Sequence, residues 1–316
     1  MKKDGRVSRY LSDIGFYLDF RQKNQIFNKE VNTENNLRTF SSLFNRNPVK
    51  ITGLNEEAIQ LCYEELLLET RQKKRFSHKL YPLFEDELNI GHGDLNDKVL
   101  AHMGKRYLKA LGVVDCCFTN RSRYLRYLVK AGCFKDDCLF FAEDSEEKLI
   151  REILSFLKGK KVLLLSDHAE LFQVQFSRLH VMEKTKELYD FSLLSLDPSP
   201  ILKPTDRSNY VESSDALNVS LLQYAYDVLL VHANAYAMDT LLFSDKLSSS
   251  CLVLGSSLYH MFGIKERNSE KMKDEELGYI SLENYDATRN QDFIASNYLA
   301  DHPLIDQDKK THAEEK

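Results

Sequence analysis

Lys158-Gly159-Lys160-Lys161-Val162-Leu163-Leu164-Leu165-Ser166-Asp167-His168 is the stretch that decides the fold class. Glycine closes a helix, four apolar residues run without alternation, and a polar turn follows at once. A continuous apolar run of that length reads as a strand buried on both faces, the kind found inside a parallel sheet. On its amino side, Leu149, Ile150, Ile153, Leu154 and Leu157 recur at helical spacing and Gly159 ends the helix. On its carboxyl side, residues 169–182 read as the next helix.

The same alternation extends in both directions. Upstream, Val99, Leu100, Met103, Tyr107, Leu108 and Leu111 form one helical face closed by Gly112, and residues 113–118 read as a strand. Residues 124–129 are helical, and residues 138–142 form a strand that runs into Ser145-Glu146-Glu147-Lys148, a capped helix start. Downstream, strands are expected over 191–196, 227–232 and 251–254, with helices over 214–226, 236–247 and 257–262. Repeated β–α–β units imply an α/β fold, a Rossmann-like parallel sheet with flanking helices.

Residues 1–75 read differently, as a helical N-terminal region. Tyr10, Leu11, Ile14, Tyr17 and Leu18 repeat at helical spacing, as do Ala58, Leu61, Cys62, Leu66 and Leu68 after a cap at Asn55. Residues 28–36 read as a loop. The basic run 71–75 is expected to end the second long helix, either as a solvated terminus or as an anionic contact. The α/β domain then spans 76–267, and 268–316 forms a C-terminal extension with a charged tail expected to be disordered.

Composition bounds the function classes. The chain has 316 residues, enough for one large or two small domains at about 150 residues each. With 43 Lys and Arg against 48 Asp and Glu, the net charge of −5 argues against a dedicated nucleic-acid-binding protein. Twelve Gly and six Pro leave no room for low-complexity linkers, and 11% aromatic content excludes wholesale disorder. No apolar leader follows the first basic residues, and the apolar runs fall far short of the roughly 20 residues a membrane helix needs. Six cysteines without CxxC or zinc spacing read as reduced, buried thiols, which points to a cytoplasmic location.

Ligands of parallel sheets bind beyond the carboxyl ends of the strands. Those ends carry 142–145, Ser166-Asp167-His168, His232-Ala233-Asn234-Ala235-Tyr236 and Gly255-Ser256-Ser257. The last reads as an ordinary βα turn or as a phosphate cradle, with neither GxGxxG nor GxxxxGK[ST] present. His168 reads as a surface residue or an exposed base, and His232 as a satisfied core histidine. Gly91-His92-Gly93-Asp94-Leu95-Asn96-Asp97 reads as a helix cap, or as Asp94 with Asn96 or Asp97 holding a divalent cation or a sugar hydroxyl. No GxSxG is present for covalent hydrolase chemistry.

Three segments resemble a bacterial family related to GT-D-fold glycosyltransferases. Residues 159–166 and 172–178 resemble its "GKKVLVISPF…Q…KR", residues 227–236 its "D(V/I)ALIGCGAYG", and residues 254–265 its "LGGxLQLLFGIKG". Residues 91–96 stand where the superfamily carries "RFGDGE". The chain departs from these patterns at Gly91 for arginine, at Asn96 for the final glutamate, and at several glycines, including Ser256. The resemblance implies transfer of a sugar from a nucleotide-sugar donor to a glycan, glycoprotein or lipid-linked acceptor in cell-surface polysaccharide biosynthesis. It implies Asp94 and Asp97 for a divalent metal (Mn or Mg) or the diphosphate, with His168 or Asp167 as the base. Gly93, Asn96, Ser166, Asp167, Asn234, Tyr236, Gly255, Ser256 and Ser257 would bind the nucleotide sugar. The departures motivate an alternative: a non-catalytic scaffold subunit with protein partners in glycan assembly.

Overall fold

Seven strands form one sheet in which every pairing is parallel. In the computed structural model the described residues are 34–46, 48–88, 95–119, 122–141, 149–181, 185–198, 201, 210–232, 235–255, 257–265 and 280–281. The strands are β1 (Lys50–Leu54), β2 (Cys116–Thr119), β3 (Leu139–Phe141), β4 (Lys161–Leu165), β5 (Ser192–Leu196), β6 (Val228–His232) and β7 (Ser250–Leu254), in the spatial order β3-β2-β1-β7-β6-β4-β5. Val162–Leu165 of β4 and Val228–Val231 of β6 are buried throughout, as unalternating runs require of a sheet covered on both faces.

The helices are α1 (Glu34–Leu43), α2 (Glu56–Glu69), α3 (Leu80–Leu88), α4 (Asp97–Leu111), α5 (Arg123–Lys130), α6 (Ile150–Leu157), α7 (Ala169–Val181), α8 (Tyr210–Leu221), α9 (Ala237–Lys246) and α10 (Ser257–Met261). They divide between two cores. One core takes α2, α3, α4, α5, α8 and α9 with Leu163, Leu165, Leu229, Val231 and Val253; the other takes α1, α6, α7 and α10 with Val162, Leu164, Val228, Leu230 and Leu252. This division follows the path of the chain. Connections travelling toward the β3 edge carry the first set, and those travelling from β3 toward β5 carry α6 and α7. Crossovers of a single hand place helices on opposite faces when the direction of travel reverses.

The strand and helix expectations hold to within a few residues from residue 97 onward, with α8 starting earlier, at Tyr210, and ending at Leu221. The reading of 1–75 as purely helical needs correction. Lys50-Ile51-Thr52-Gly53-Leu54 forms β1, in the middle of the sheet between β2 and β7. Its lysine and glycine break the apolar run that marks the other strands. Lys50 is nevertheless buried, its ammonium donating to Ser244 Oγ at 3.0 Å and to the Ser249 carbonyl. Asn55 caps α2 as expected, its Oδ1 accepting from Ala58 N–H at 2.9 Å. The helix stops at Thr70 and Arg71 adopts φ 56, so the basic run lies beyond the helix rather than in its last turn. Residues 1–33, the capped start at 145–148 and nearly all of 268–316 lie outside the described residues; 280–281 pair with 264–265.

The amino end of the sheet is closed by side chains that take up free strand N–H groups. Asp115 Oδ2 accepts from Lys50 N–H, and Asp227 Oδ2 from Lys161 N–H, both at 2.8 Å; Ser250 Oγ accepts from Val49 N–H at 3.1 Å. Among the described residues no helix is long and apolar enough to cross a membrane. None of the six cysteines is in a disulfide; five are buried and Cys133 is half-buried.

Above the sheet, α2 and α4 approach closely at Gly104. A Cβ there would sit 2.7 Å from Glu65 Cβ and 3.1 Å from its Cγ. Those atoms belong to the fixed root of a buried side chain, so they cannot swing away. Alanine gains about 1 kcal/mol in helix propensity over glycine, whereas overpacking costs about 1–3 kcal/mol. Gly104→Ala is therefore expected to lower the urea midpoint of unfolding. A variant as stable as wild type would show that α2 and α4 can separate without loss.

Candidate active site

β4 ends at Leu165, and the chain turns immediately into α7. Ser166 shapes the turn: its N–H donates to the Leu196 carbonyl at 3.1 Å, and its Oγ accepts from His168 N–H at 3.1 Å. Asp167 and His168 are thereby held at the head of a 13-residue helix, where unpaired N–H groups and the helix dipole favour negative charge. The register pairs Leu165 with Val231, so His232, the last residue of β6, ends level with Ser166.

Register and turn together place one carboxylate beside two imidazoles. Asp167 Oδ1 lies 3.4 Å from His168 Nδ1 and 3.5 Å from His232 Nδ1. Tyr259, on α10 after β7, links the two rings from the buried side. Its hydroxyl is 2.6 Å from His168 Nδ1, and the His232 ring meets its face edge-on, with centroids 4.9 Å apart. Tyr259 is itself fixed by stacking on Phe172 of α7, with centroids 5.2 Å apart. Burial by itself would raise the Asp167 carboxyl. The hydrogen bond with His232 and the attraction of the neighbouring His168 and His232 rings more than offset it, holding the carboxyl well below the usual range.

The location follows from the topology. β4 and β6 are neighbours, yet the connection leaving β4 runs to α7 in one core and that leaving β6 runs to α9 in the other. The carboxyl edge between diverging connections is the usual ligand position in sheets of this kind. The β6–α9 turn is braced from the opposite face, where the Ala235 carbonyl accepts from the hydroxyls of Tyr107 at 2.8 Å and Tyr210 at 3.2 Å. An open cavity of about 320 Å³, lined by Tyr224, Tyr226, Asp227 and Ser249 among others, lies at the amino ends of the strands. A five-residue strand, about 17 Å, separates that end from the histidines.

The remaining sequence candidates are distributed as follows. Gly93, Asp94, Asn234 and Ser256 lie outside the described residues. Asn96 is the N-cap of α4, its Oδ1 accepting from Lys98 N–H at 3.0 Å and Val99 N–H at 3.2 Å. Asp97 is exposed at the first position of α4 and accepts a hydrogen bond from the Tyr81 hydroxyl. Tyr236 is buried and stacks on Tyr210, with centroids 5.0 Å apart. Ser257 is buried at the start of α10, and a Cβ on Gly255 would meet no described atom within 4 Å. Among the described residues no group of three or more His, Cys, Asp or Glu is placed to hold a metal ion.

The structure thus brings Ser166, Asp167 and His168 together with two residues that sequence reasoning left out. His232 is not a satisfied core histidine but a half-buried member of the cluster, and Tyr259 is its floor. One signal for His232 was present. The apolar runs of β4 and β6 are of similar length, and parallel neighbours in register end at the same edge. Tyr259 carried no such signal, because its position depends on where α10 folds back.

No protein-family model and no curated protein matches the chain. Among solved structures, it is similar to the selenomethionine-substituted structure of domain of unknown function 1792 (DUF1792). The two share 11% identity, the alignment covers 72% of this chain and 80% of that one, and the TM-score is 0.37.

A carboxyl held low by its partners stabilises the fold only while it is ionised. The contribution of Asp167 is complete above the unfolded-state value of about 4 and is lost as pH falls toward the lower folded-state value. Asp167→Asn is expected to be less stable than wild type at pH 7, with the gap narrowing below about pH 4. A gap unchanged between pH 7 and pH 3 in thermal unfolding would show that the carboxylate draws nothing from the histidines.

Proposed function

We propose that the chain transfers a sugar from a nucleotide-sugar donor to a hydroxyl of a glycan, glycoprotein or lipid-linked acceptor. The observation that carries this reading is the Asp167 carboxylate set between two imidazoles where the β4 and β6 connections diverge. Direct displacement needs a group to take the acceptor proton as the new glycosidic bond forms, and an imidazole backed by a carboxylate is suited to that task near neutral pH. His168 and Asp167 were already candidates for that role on the sequence. The motif resemblance over 159–178, 227–236 and 254–265 supplies the donor class.

The departing diphosphate must also be neutralised. The resemblance assigns this to a divalent metal at Asp94 and Asp97. Of that pair only Asp97 is among the described residues, and its carboxylate already accepts from the Tyr81 hydroxyl. The neighbouring Asn96 spends its amide oxygen on capping α4. The described residues do not make a metal site, so no step is derived through one. The same capping role favours the second reading, a scaffold subunit in a glycan-assembly pathway, because Asn96 stands where the family carries its glutamate.

A thermal-shift comparison of UDP, GDP, CMP and dTDP and their sugar conjugates, with and without manganese, separates the two. A ligand at 100 times its Kd that binds only the folded state adds about 2.7 kcal/mol. The expected result is a selective response to one nucleotide sugar, followed by transfer or donor hydrolysis that Asp94→Ala abolishes. A flat response across all nucleotides would overturn the transferase reading in favour of the scaffold.

A further inference from the structure

The two histidines around Asp167 are not equivalent, and the difference lies in their ring nitrogens. A neutral imidazole has one N–H donor and one lone pair, and whatever engages one nitrogen determines what the other can do. His168 Nδ1 is 2.6 Å from the Tyr259 hydroxyl, its shortest polar contact among the distances above, whereas Asp167 Oδ1 is 3.4 Å away. The ring can take either role in that contact according to its tautomer; with the phenol as donor, the Nδ1 lone pair is used, the proton stays on Nε2, and His168 has no lone pair left to take a proton.

His232 is arranged the other way. Its Nδ1 faces the Asp167 carboxylate, which can only accept, so the proton resides on Nδ1 and the lone pair on Nε2. Among the described residues Nε2 has no hydrogen-bond partner. The ring is held edge-on against the buried Tyr259, and the side chain is 21% exposed at the open edge of the sheet. The 3.5 Å separation from Asp167 is long for a hydrogen bond, as catalytic pairs commonly are before substrate binds.

We infer that His232 is the catalytic base, that Asp167 is its positioning residue, and that His168, engaged by Tyr259, is not the base. The inference rests on the sugar-transfer reading. In the step, the acceptor oxygen forms its bond to the anomeric carbon as the bond from that carbon to the diphosphate oxygen breaks. The bonding pair leaves with the diphosphate, and the acceptor proton passes to His232 Nε2. The resulting imidazolium is balanced by the Asp167 carboxylate, already ionised at neutral pH.

Two measurements on the full chain test this and fail separately. Nitrogen-15 NMR of histidine-labelled protein, assigned with His168→Gln and His232→Gln, reads the tautomers without any substrate. The expected result is the Nδ1–H form for His232 and the Nε2–H form for His168, with Asp167→Asn redistributing the His232 tautomer and leaving that of His168. An Nε2–H form at His232 in the wild-type protein would overturn the assignment, whatever the reaction. In turnover with the nucleotide sugar found by thermal shift, His232→Gln is expected to lower kcat by about 10²–10⁴-fold with donor KM changed less than about threefold. His168→Gln is expected to lower kcat by a much smaller factor. Equal losses of kcat in the two variants would overturn the division of roles. Wild-type protein that turns over no nucleotide sugar would instead overturn the sugar-transfer reading and with it the base role, while the tautomers still report the geometry.

Discussion

The structure depends on the requirement that parallel strands be joined by long crossovers of one hand. Neighbouring parallel strands cannot be connected by a tight turn, so each junction carries a helix, and the face that helix takes is set by the direction of travel across the sheet. Here the chain runs outward from β1 to β3, crosses to β4 and β5, and returns through β6 to β7 beside β1. That path makes β4 and β6 neighbours although β5 lies between them in sequence. Their outgoing helices must then part to opposite faces. The edge at which Asp167 meets His168 and His232 is a product of this rule.

The two ends of the sheet are treated differently by the side chains. At the amino end, Asp115, Asp227 and Ser250 bind the first N–H groups of adjoining strands, and the buried Lys50 ammonium is taken up by Ser244 and the Ser249 carbonyl. These polar groups are spent on closing the edge. At the carboxyl end, Asp167 meets His168 and His232, and the buried Tyr259 and Phe172 pack against them. A carboxylate at the head of α7 is favoured by the helix dipole as well as by its imidazole partners. The charge arrangement and the helix geometry therefore reinforce each other at one point on the molecule.

Much of this was legible in the sequence because it is written in local pattern. Unbroken apolar runs gave away β4, β6 and β7, helical spacing gave away α4, α6 and α7, and Asn55 announced the start of α2. β1 was not legible. Lys50 and Gly53 interrupt its apolar run, and only the packing of Ser244 and Ser249 around the ammonium makes a lysine tolerable there. The left-handed residue that stops α2 was equally hidden, since Arg71 has no side-chain preference for φ 56. Among the site residues, Ser166, Asp167 and His168 could be placed by following the unbroken apolar strand β4 to its end, whereas Gly93 and Asp94 lie outside the described residues.

The sequence by itself determined the α/β class, most element boundaries and the turn that carries Asp167 and His168, because helical and strand periodicities are local properties of a chain. Tertiary structure alone decided the strand order, and with it the neighbours of Asp167. Local pattern says that a segment is a buried parallel strand but not which strand lies beside it. The pairing of Leu165 with Val231 brings His232 from 65 residues downstream to the same carboxylate as His168, and the fold-back of α10 slides Tyr259 beneath both rings. Which partners each imidazole meets is set by those long-range neighbours, and the proton on one ring nitrogen follows the partner that the fold presents to the other.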